Sequence, residues 1–295
     1  METVLLTGAL GTLGRWTIDE LAGDYEVVGV DRHRPRGPIP YDDVALLGAD
    51  LTEQGPIREI VETVVPDTVI HLAAIPGAGR RAGGETFLHN VASAYTVFDA
   101  AGREDVPVVW SSSEATYGVT FGEEARPLDR LPIDETHPQR PEDGYGLSKV
   151  VGETVAEWAV RRHGVPVTSI QPSWIQVPGA YETASVREGF SFEEPTPSGS
   201  LWSYVDVRDV ARLLRLALEA DAEGHERYLA AAAENYLGVP TESAIEAAWG
   251  ELPEECDLEG EASAFSTEKA RRELGWEPEH GWREAEGADV EGPAL

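Results

Sequence analysis

Tyr145 and Lys149 stand four residues apart in the run Gly144-Tyr145-Gly146-Leu147-Ser148-Lys149, a spacing that sets both side chains on one face of a helix. A phenol beside an ammonium can serve as a base, because the cation favours the phenolate and draws the tyrosine pKa down. The chain has 21 arginines and only two lysines, Lys149 and Lys269. A lysine kept beside a tyrosine in such a chain suggests a task that a guanidinium cannot perform. Taken alone, the pair also fits an exposed ion-dipole contact on an ordinary helix. Three hydroxyls, Ser111, Ser112 and Ser113, follow the apolar run 106–110. At the carboxyl end of a strand they would lie where parallel sheets bind ligands, although serine also ends strands through turn chemistry.

A third group lies at the amino end. The apolar run 3–6 is closed by Gly8, Gly11, Thr12, Leu13 and Gly14 and followed by a helical stretch over 15–21. Strand, glycine turn and helix are the context of a dinucleotide site: the glycines let backbone approach a pyrophosphate, and the helix N-terminus offers N–H donors. The spacing is Gly-x-x-Gly-x-x-Gly rather than Gly-x-Gly-x-x-Gly. The next apolar run, 26–30, ends in Asp31, 17 residues beyond Gly14. A carboxylate there accepts both hydroxyls of an adenine ribose and favours NAD, whereas Arg32 and Arg34 could hold a 2′-phosphate, so NADP stays open.

Apolar runs at 44–47, 68–74, 106–110 and 166–170 alternate with helical stretches at 53–64, 85–102 and 144–163. The alternation predicts an α/β, Rossmann-type, doubly wound parallel sheet. Residues 1–172 read as the dinucleotide-binding domain and 173–283 as a smaller substrate-binding lobe, with 204–220 packing back on the first domain and 284–295 as a frayed tail. Residues 119–143 read as a polar surface loop and 173–202 as an irregular roof over the site. His71 falls inside an apolar run and reads as a core residue. Beyond 220, a short strand at 227–231 and helices at 241–250 and 266–276 are expected.

Composition narrows the partners. Against 23 basic residues stand 54 acidic ones, a net charge of −31, which excludes nucleic acid and anionic membranes as partners. With 8 Trp, 9 Tyr and 6 Phe spread among apolar runs, the chain has the makings of a folded core rather than of disorder. Molar salt shortens the Debye length to about 3 Å, so an acidic, lysine-poor surface suits a salt-loaded, halophilic cytoplasm. The single Cys256 excludes an internal disulfide and has no His or Cys neighbour, so neither a metal site nor a thiol nucleophile is expected. No signal peptide and no membrane-length apolar run is found, and the expected location is the cytoplasm.

Taken in order, Gly8, Gly11, Gly14, Asp31, Asp50-Leu51, Leu72-Ala73-Ala74, Ser113 and the Tyr145/Lys149 pair resemble the extended short-chain dehydrogenase/reductase family. The resemblance runs nearly the whole length, continuing through Pro172, Tyr204-Val205-Asp206-Val207, Asp209-Val210-Ala211, Lys269-Ala270-Arg271 and Leu274-Gly275-Trp276. It implies that Tyr145 is the catalytic base, that Lys149 tunes it and bonds the nicotinamide ribose, and that Ser113 bonds the reacting oxygen. Asp50 and Leu51 would flank the adenine, and Leu72, Ala73, Ala74, Asn90 and Pro172 would line the cofactor cleft.

The same triad serves sugar dehydrogenases, nucleotide-sugar epimerases and dehydratases. Only 24 residues separate Gly179 from Tyr204, fewer than the epimerases use to grip a nucleotide diphosphate, and their arginine is replaced by Leu201-Trp202-Ser203. Dehydratases carry an Asp-Glu pair where Glu114-Ala115 follows Ser113. The resemblance therefore points to a compact dehydrogenase that oxidises a free aldose or uronate to a lactone, with a nucleotide-sugar 4-epimerase as the alternative and a non-catalytic cofactor-binding protein behind both. Trp174 and Gln176 could stack on and bond the sugar, or simply pack beneath the roof. Pairing of the helices at 85–102 and 144–163 between copies, through Val150, Val151 and Val155, would give a dimer or tetramer.

Overall fold

The computed structural model describes residues 1–34, 37–77, 79–120 and 128–295. Seven strands form the central sheet: β1 (Thr3–Thr7), β2 (Glu26–Asp31), β3 (Val44–Gly48), β4 (Thr68–His71), β5 (Val108–Ser111), β6 (Val167–Pro172) and β7 (His225–Ala230). They run parallel in the order β7-β6-β5-β4-β1-β2-β3. The chain leaves β1 towards one edge and returns to build the other half from β4. Between β1 and β4 the helices depart to opposite faces, and a crevice opens at the strands' carboxyl ends.

Alternation along β1 separates two cores, since neighbouring side chains point to opposite faces. Val4 and Leu6 pack with Ile18 and Leu21 of α1 (Thr12–Leu21) and with Val210, Leu213 and Leu214 of Val207–Glu219, the helix that returns from the C-terminal half. Leu5 joins the opposite core, built from Ile57 and Val61 of α2 (Gln54–Val64), Val97 and Phe98 of α3 (Gly83–Arg103), and Ala156 and Ala159 of α4 (Gly144–His163). A third core of Trp202, Tyr204, Tyr236, Ile245 and Phe265 holds the lobe.

Several boundaries differ from the sequence reading. The strand at 225–230 is the seventh of the main sheet, His225 pairing with Val167, because the otherwise open edge of β6 takes a further strand. β4 ends at His71 rather than reaching Ala74: the backbone of Gly8 passes so close that a Cβ there would come 2.7 Å from the Ala73 nitrogen. The roof contains a helix at Thr183–Gly189 and a two-residue strand, Ile175–Gln176, paired with Val205–Asp206. α1 begins at Thr12, inside the glycine turn. In the polar excursion, Arg130–Leu131 pairs with Glu255–Cys256, and residues 121–127 lie outside the described residues. The residues around and within 284–295 make specific contacts. Ala285 is buried, the Trp282 indole donates to Asn235 O at 3.1 Å, and Arg15 Nη1 donates to Leu295 O at 3.4 Å.

Candidate active site

The glycine turn works through close approach. Gly8 has φ +72° and donates to Val30 O at 2.8 Å; only glycine adopts that conformation without strain. A Cβ on Gly14 would lie 2.1 Å from Gly8 O, so the first turn of α1 seals against the loop. At the end of β2 the Asp31 carboxylate is fixed by two backbone donors, Leu10 N at 3.1 Å and Arg32 N at 2.7 Å. These groups border a cleft of about 480 Å³ whose walls include Gly8, Gly11, Asp31, Arg32, Leu51, Leu72, Ala73 and Ala74. A cradle closed to any Cβ, a carboxylate at the end of β2 and small residues opposite fit the adenosine half of a dinucleotide.

Other expected cofactor residues stand behind this wall. Asn90 is buried on α3, where it accepts from Ile75 N at 2.8 Å and donates to Ile75 O and Ser148 Oγ, so it shapes the wall through Ile75. Asp50 accepts from Thr52 N–H and Oγ1 at 3.0 and 2.7 Å, which hold its carboxyl below the usual range. Pro172 ends β6 opposite Ala230. Thr12 and Leu13 belong to the first turn of α1. Arg80, Arg81, His33 and His89 also line the cleft, with His89 Nε2 2.8 Å from Arg32 Nη2. The sequence reading passed over them; their one signal was the Arg80-Arg81 pair just after the fourth strand.

At the other end of the crevice, Ser113 caps the short turn Glu114–Tyr117, its Oγ accepting from Ala115 N at 3.1 Å. Asp143 caps α4 and orients its first turn by accepting from Tyr145 N and Gly146 N. This brings the half-buried Tyr145 phenol into hydrogen-bond contact with the Ser113 side chain. Lys149 is buried one turn further on, with Nζ 5.5 Å from the Tyr145 ring centroid and 5.0 Å from that of Trp110.

Lys149 Nζ donates to Ser111 O at 2.6 Å, and the phenol is pushed up to about 12, chiefly by burial, with the Ser113 hydrogen bond pulling the other way. Burial also draws Lys149 itself down to about 7 against the pull of Glu153.

Beneath the serines, Glu153 gathers four elements. Its Oε1 accepts from Ser112 Oγ at 2.6 Å and Gln171 Nε2 at 2.9 Å, its Oε2 accepts from Gln139 Nε2 at 2.6 Å, and Arg227 Nη1 lies at 3.5 Å. Lys149 and Glu153 on one helix thus hold the consecutive residues Ser111 and Ser112 that lead into Ser113. Trp174 meets Tyr236 edge-on at 6.0 Å. Gln176 is buried, and its Oε1 accepts from Glu182 N at 2.7 Å, so it fixes the roof. His71 is buried with Nδ1 2.6 Å from Thr7 Oγ1, and burial drives it down to about 3. It is a core residue.

Comparisons with known proteins agree with this arrangement. Residues 4–231 match the NAD dependent epimerase/dehydratase family. The chain is 29% identical to a uronate dehydrogenase of Pseudomonas putida over 75% of its own length and 73% of that protein's. It is also 29% identical to an L-arabinose 1-dehydrogenase (NAD(P)(+)) of Haloferax volcanii, over 75% and 84%. The fold matches that of a UDP-glucose 4-epimerase from Brucella ovis in complex with NAD with a TM-score of 0.72 at 22% identity, over 97% and 96% of the two chains. With this match over residues 4–231, and with its glycine turn and its Ser113–Tyr145 contact one helical turn from Lys149, the chain belongs to the NAD dependent epimerase/dehydratase family, within the extended short-chain dehydrogenases/reductases.

Proposed function

We propose that the protein oxidises a free sugar at its anomeric carbon to a lactone, with NAD or NADP as acceptor. The observation that carries this reading is the Ser113–Tyr145–Lys149 grouping at the carboxyl ends of β5 and β6, beside a dinucleotide-shaped cleft. Gly8, Gly11 and the start of α1 would hold the pyrophosphate, Asp31 and Arg32 the adenine ribose, and Lys149 the nicotinamide ribose. The cofactor, when bound, supplies the acceptor for a hydride. Ser113 holds the anomeric hydroxyl, and the ionised Tyr145 oxygen takes its proton. As the C–H bond breaks with its electron pair, the carbon–oxygen double bond of the lactone forms. The Ser113 hydrogen bond favours that ionised form against the burial that opposes it. Residues 1–172 with the strand β7 and the helix Val207–Glu219 would carry the cofactor, and the remaining C-terminal residues the sugar.

The position where epimerases carry a diphosphate-binding arginine supports a free sugar: Leu201, Trp202 and Ser203 are fully buried and carry no charge. Asp31 favours NAD, and the cationic wall of Arg32, Arg80 and Arg81 leaves NADP accessible. The exposed apolar side chains Leu88, Tyr95 and Leu147 on α3 and α4 suit pairing with a second copy. The excess of acidic residues suits work in molar salt in a cytoplasm; among the described residues no helix is long and apolar enough to cross a membrane.

The test is absorbance of reduced cofactor in molar KCl, with free pentoses, hexoses, uronates and sugar phosphates, each offered with NAD and NADP. Reduction by a free sugar, abolished in Tyr145→Phe while cofactor still binds, is the expected result. Silence throughout, with cofactor retained on purification, would replace this reading with an epimerase.

A further inference from the structure

The chain carries a net charge of −31, yet the walls of the cofactor cleft include Arg32, His33, Arg80, Arg81 and His89 against one acidic residue, Asp31. Arginines elsewhere stand against carboxylates, as Arg103 does with Asp99 at 2.7 Å, Arg187 with Glu286 at 2.7 Å and Arg208 with Asp206 at 2.8 Å. Of the cleft's three arginines, Arg81 alone forms an ion pair among the described residues, with Glu85 four residues on. Arg34, the other arginine after β2, lies over Gly48 at the end of β3 and is not part of this wall.

Arg32 is held from α3. His89 brings Nε2 to 2.8 Å from Arg32 Nη2. A guanidinium donates and never accepts, so this ring nitrogen accepts and the ring is neutral, with its proton on Nδ1. Nδ1 is itself buried and has no partner among the described residues. Such atoms are rare and ask for an explanation; here the ring sits where it serves Arg32 rather than its own second nitrogen. A carboxylate in its place would fix the guanidinium but cancel its charge, whereas a neutral imidazole fixes it and leaves the charge whole. One of the five guanidinium N–H groups faces His89, and four remain for a ligand. Asp50 stands close by, but its carboxyl is held low chiefly by Thr52, with Arg32 contributing less.

We propose that His89 is a positioning residue for the cofactor: resting on the dinucleotide reading of the cleft, it holds Arg32 at the end of β2 to receive a phosphate on the adenine ribose. NADP is thereby accepted alongside the NAD that Asp31 favours. A phosphate brought beside the Asp31 carboxylate is repelled by it, and a fixed guanidinium, whose fork matches phosphate geometry, offsets that repulsion. Arg80, in the same wall and without an ion pair among the described residues, adds to the attraction. Without His89 the Arg32 side chain, exposed at the mouth of the cleft, swings in water, and ordering it again costs part of the contact with phosphate.

The experiment titrates the whole chain with adenosine 2′,5′-bisphosphate and with AMP, which lacks the 2′-phosphate, by calorimetry in molar KCl. Steady-state kinetics with NADP and NAD run alongside, on whichever sugar is turned over. The parent should bind the bisphosphate at least as tightly as AMP. His89→Phe keeps a ring of similar shape without an acceptor and should cut the bisphosphate-to-AMP affinity ratio by about tenfold. The NADP-to-NAD ratio of kcat/KM should fall with it, through KM rather than kcat. His89→Gln, whose amide oxygen can still accept from Arg32, should recover most of both ratios. A parent that binds AMP more tightly, a ratio unmoved by His89→Phe, an equal loss for both nucleotides, or a His89→Gln protein as impaired as His89→Phe overturns the assignment. If His89→Phe does not fold, His89→Ala takes its place. Failure of turnover with every sugar strikes the dehydrogenase reading, and the calorimetric ratio still decides on His89. If neither nucleotide binds, the dinucleotide reading fails and this assignment with it.

Discussion

Replacing Glu153 by alanine removes an acceptor from beneath the reacting groups without touching them. Three donors lose their partner at once, Ser112 Oγ, Gln171 Nε2 and Gln139 Nε2, and Arg227 loses its counter-charge. A buried donor left unsatisfied costs about 1–3 kcal/mol, and breaking a buried charged pair about 3–5 kcal/mol. These are overlapping accounts of one network, so the expected loss is about 4 kcal/mol. For a chain of this size that lowers Tm by roughly 10 °C. Glu153→Gln keeps the shape and one acceptor oxygen but turns an N–H group towards a donor, so about half the loss is expected. The assay is thermal unfolding by circular dichroism in molar KCl for the parent and both variants. Sugar kinetics should show kcat reduced more than cofactor affinity, since the network ends at Ser112 and not in the cofactor cleft. A Glu153→Ala protein within about 1 kcal/mol of the parent would refute the reasoning, because it would mean that water replaces the carboxylate without loss.

Asp31→Asn should raise the KM for NAD by about tenfold, as a carboxylate bonding two ribose hydroxyls loses its charge, and leave that for NADP nearly unchanged, as measured by steady-state kinetics. His71 is driven to about 3 by burial, so as pH falls below the ordinary value near 6.5 the unfolded chain takes up the proton first. Stability is then full above that pH and drains towards about 3, by about 1.4 kcal/mol per pH unit. Urea unfolding at two acidic pH values should accordingly show a shallower decline in His71→Phe than in the parent. Paired substitution of Leu88 and Leu147 by glutamate, at side chains 68% and 44% exposed, should convert a dimer to a monomer in light scattering without lowering Tm of the monomer; an unchanged mass would remove this face as the interface.

What the sequence carried legibly was local. Gly8 and Gly14 could be recognised because a tight turn between strand and helix forces the residue type, and Asp31 because it ends the next strand. Tyr145 and Lys149 share a helix face at a fixed spacing. What it carried poorly depends on distant parts of the chain. Whether a strand at 225–230 belongs to the lobe or the sheet is decided by the open edge of β6, which no local pattern records. The direction of the Tyr145 shift depends on burial and on where the Lys149 ammonium goes, and its partner, the Ser111 carbonyl, arrives from β5. Gln176 looked free to meet a sugar until its amide was found holding Glu182 N. Glu153 stands four residues after Lys149, a spacing that reads as an ordinary helical ion pair. Its four hydrogen-bond donors come from β6, from the stretch after β5, from the segment leading into α4 and from β7.

The scarcity of lysine has a practical side. Of the two side-chain amines, Lys149 is 4% exposed beneath Tyr145, while Lys269 is partly exposed beside β7, paired with Glu226 at 2.6 Å and donating to Arg227 O at 3.0 Å. An acylating reagent should therefore modify the folded protein at one lysine and reach the second only when α4 lifts from the end of β5. Counting acyl groups by mass spectrometry turns the chain into its own gauge of opening.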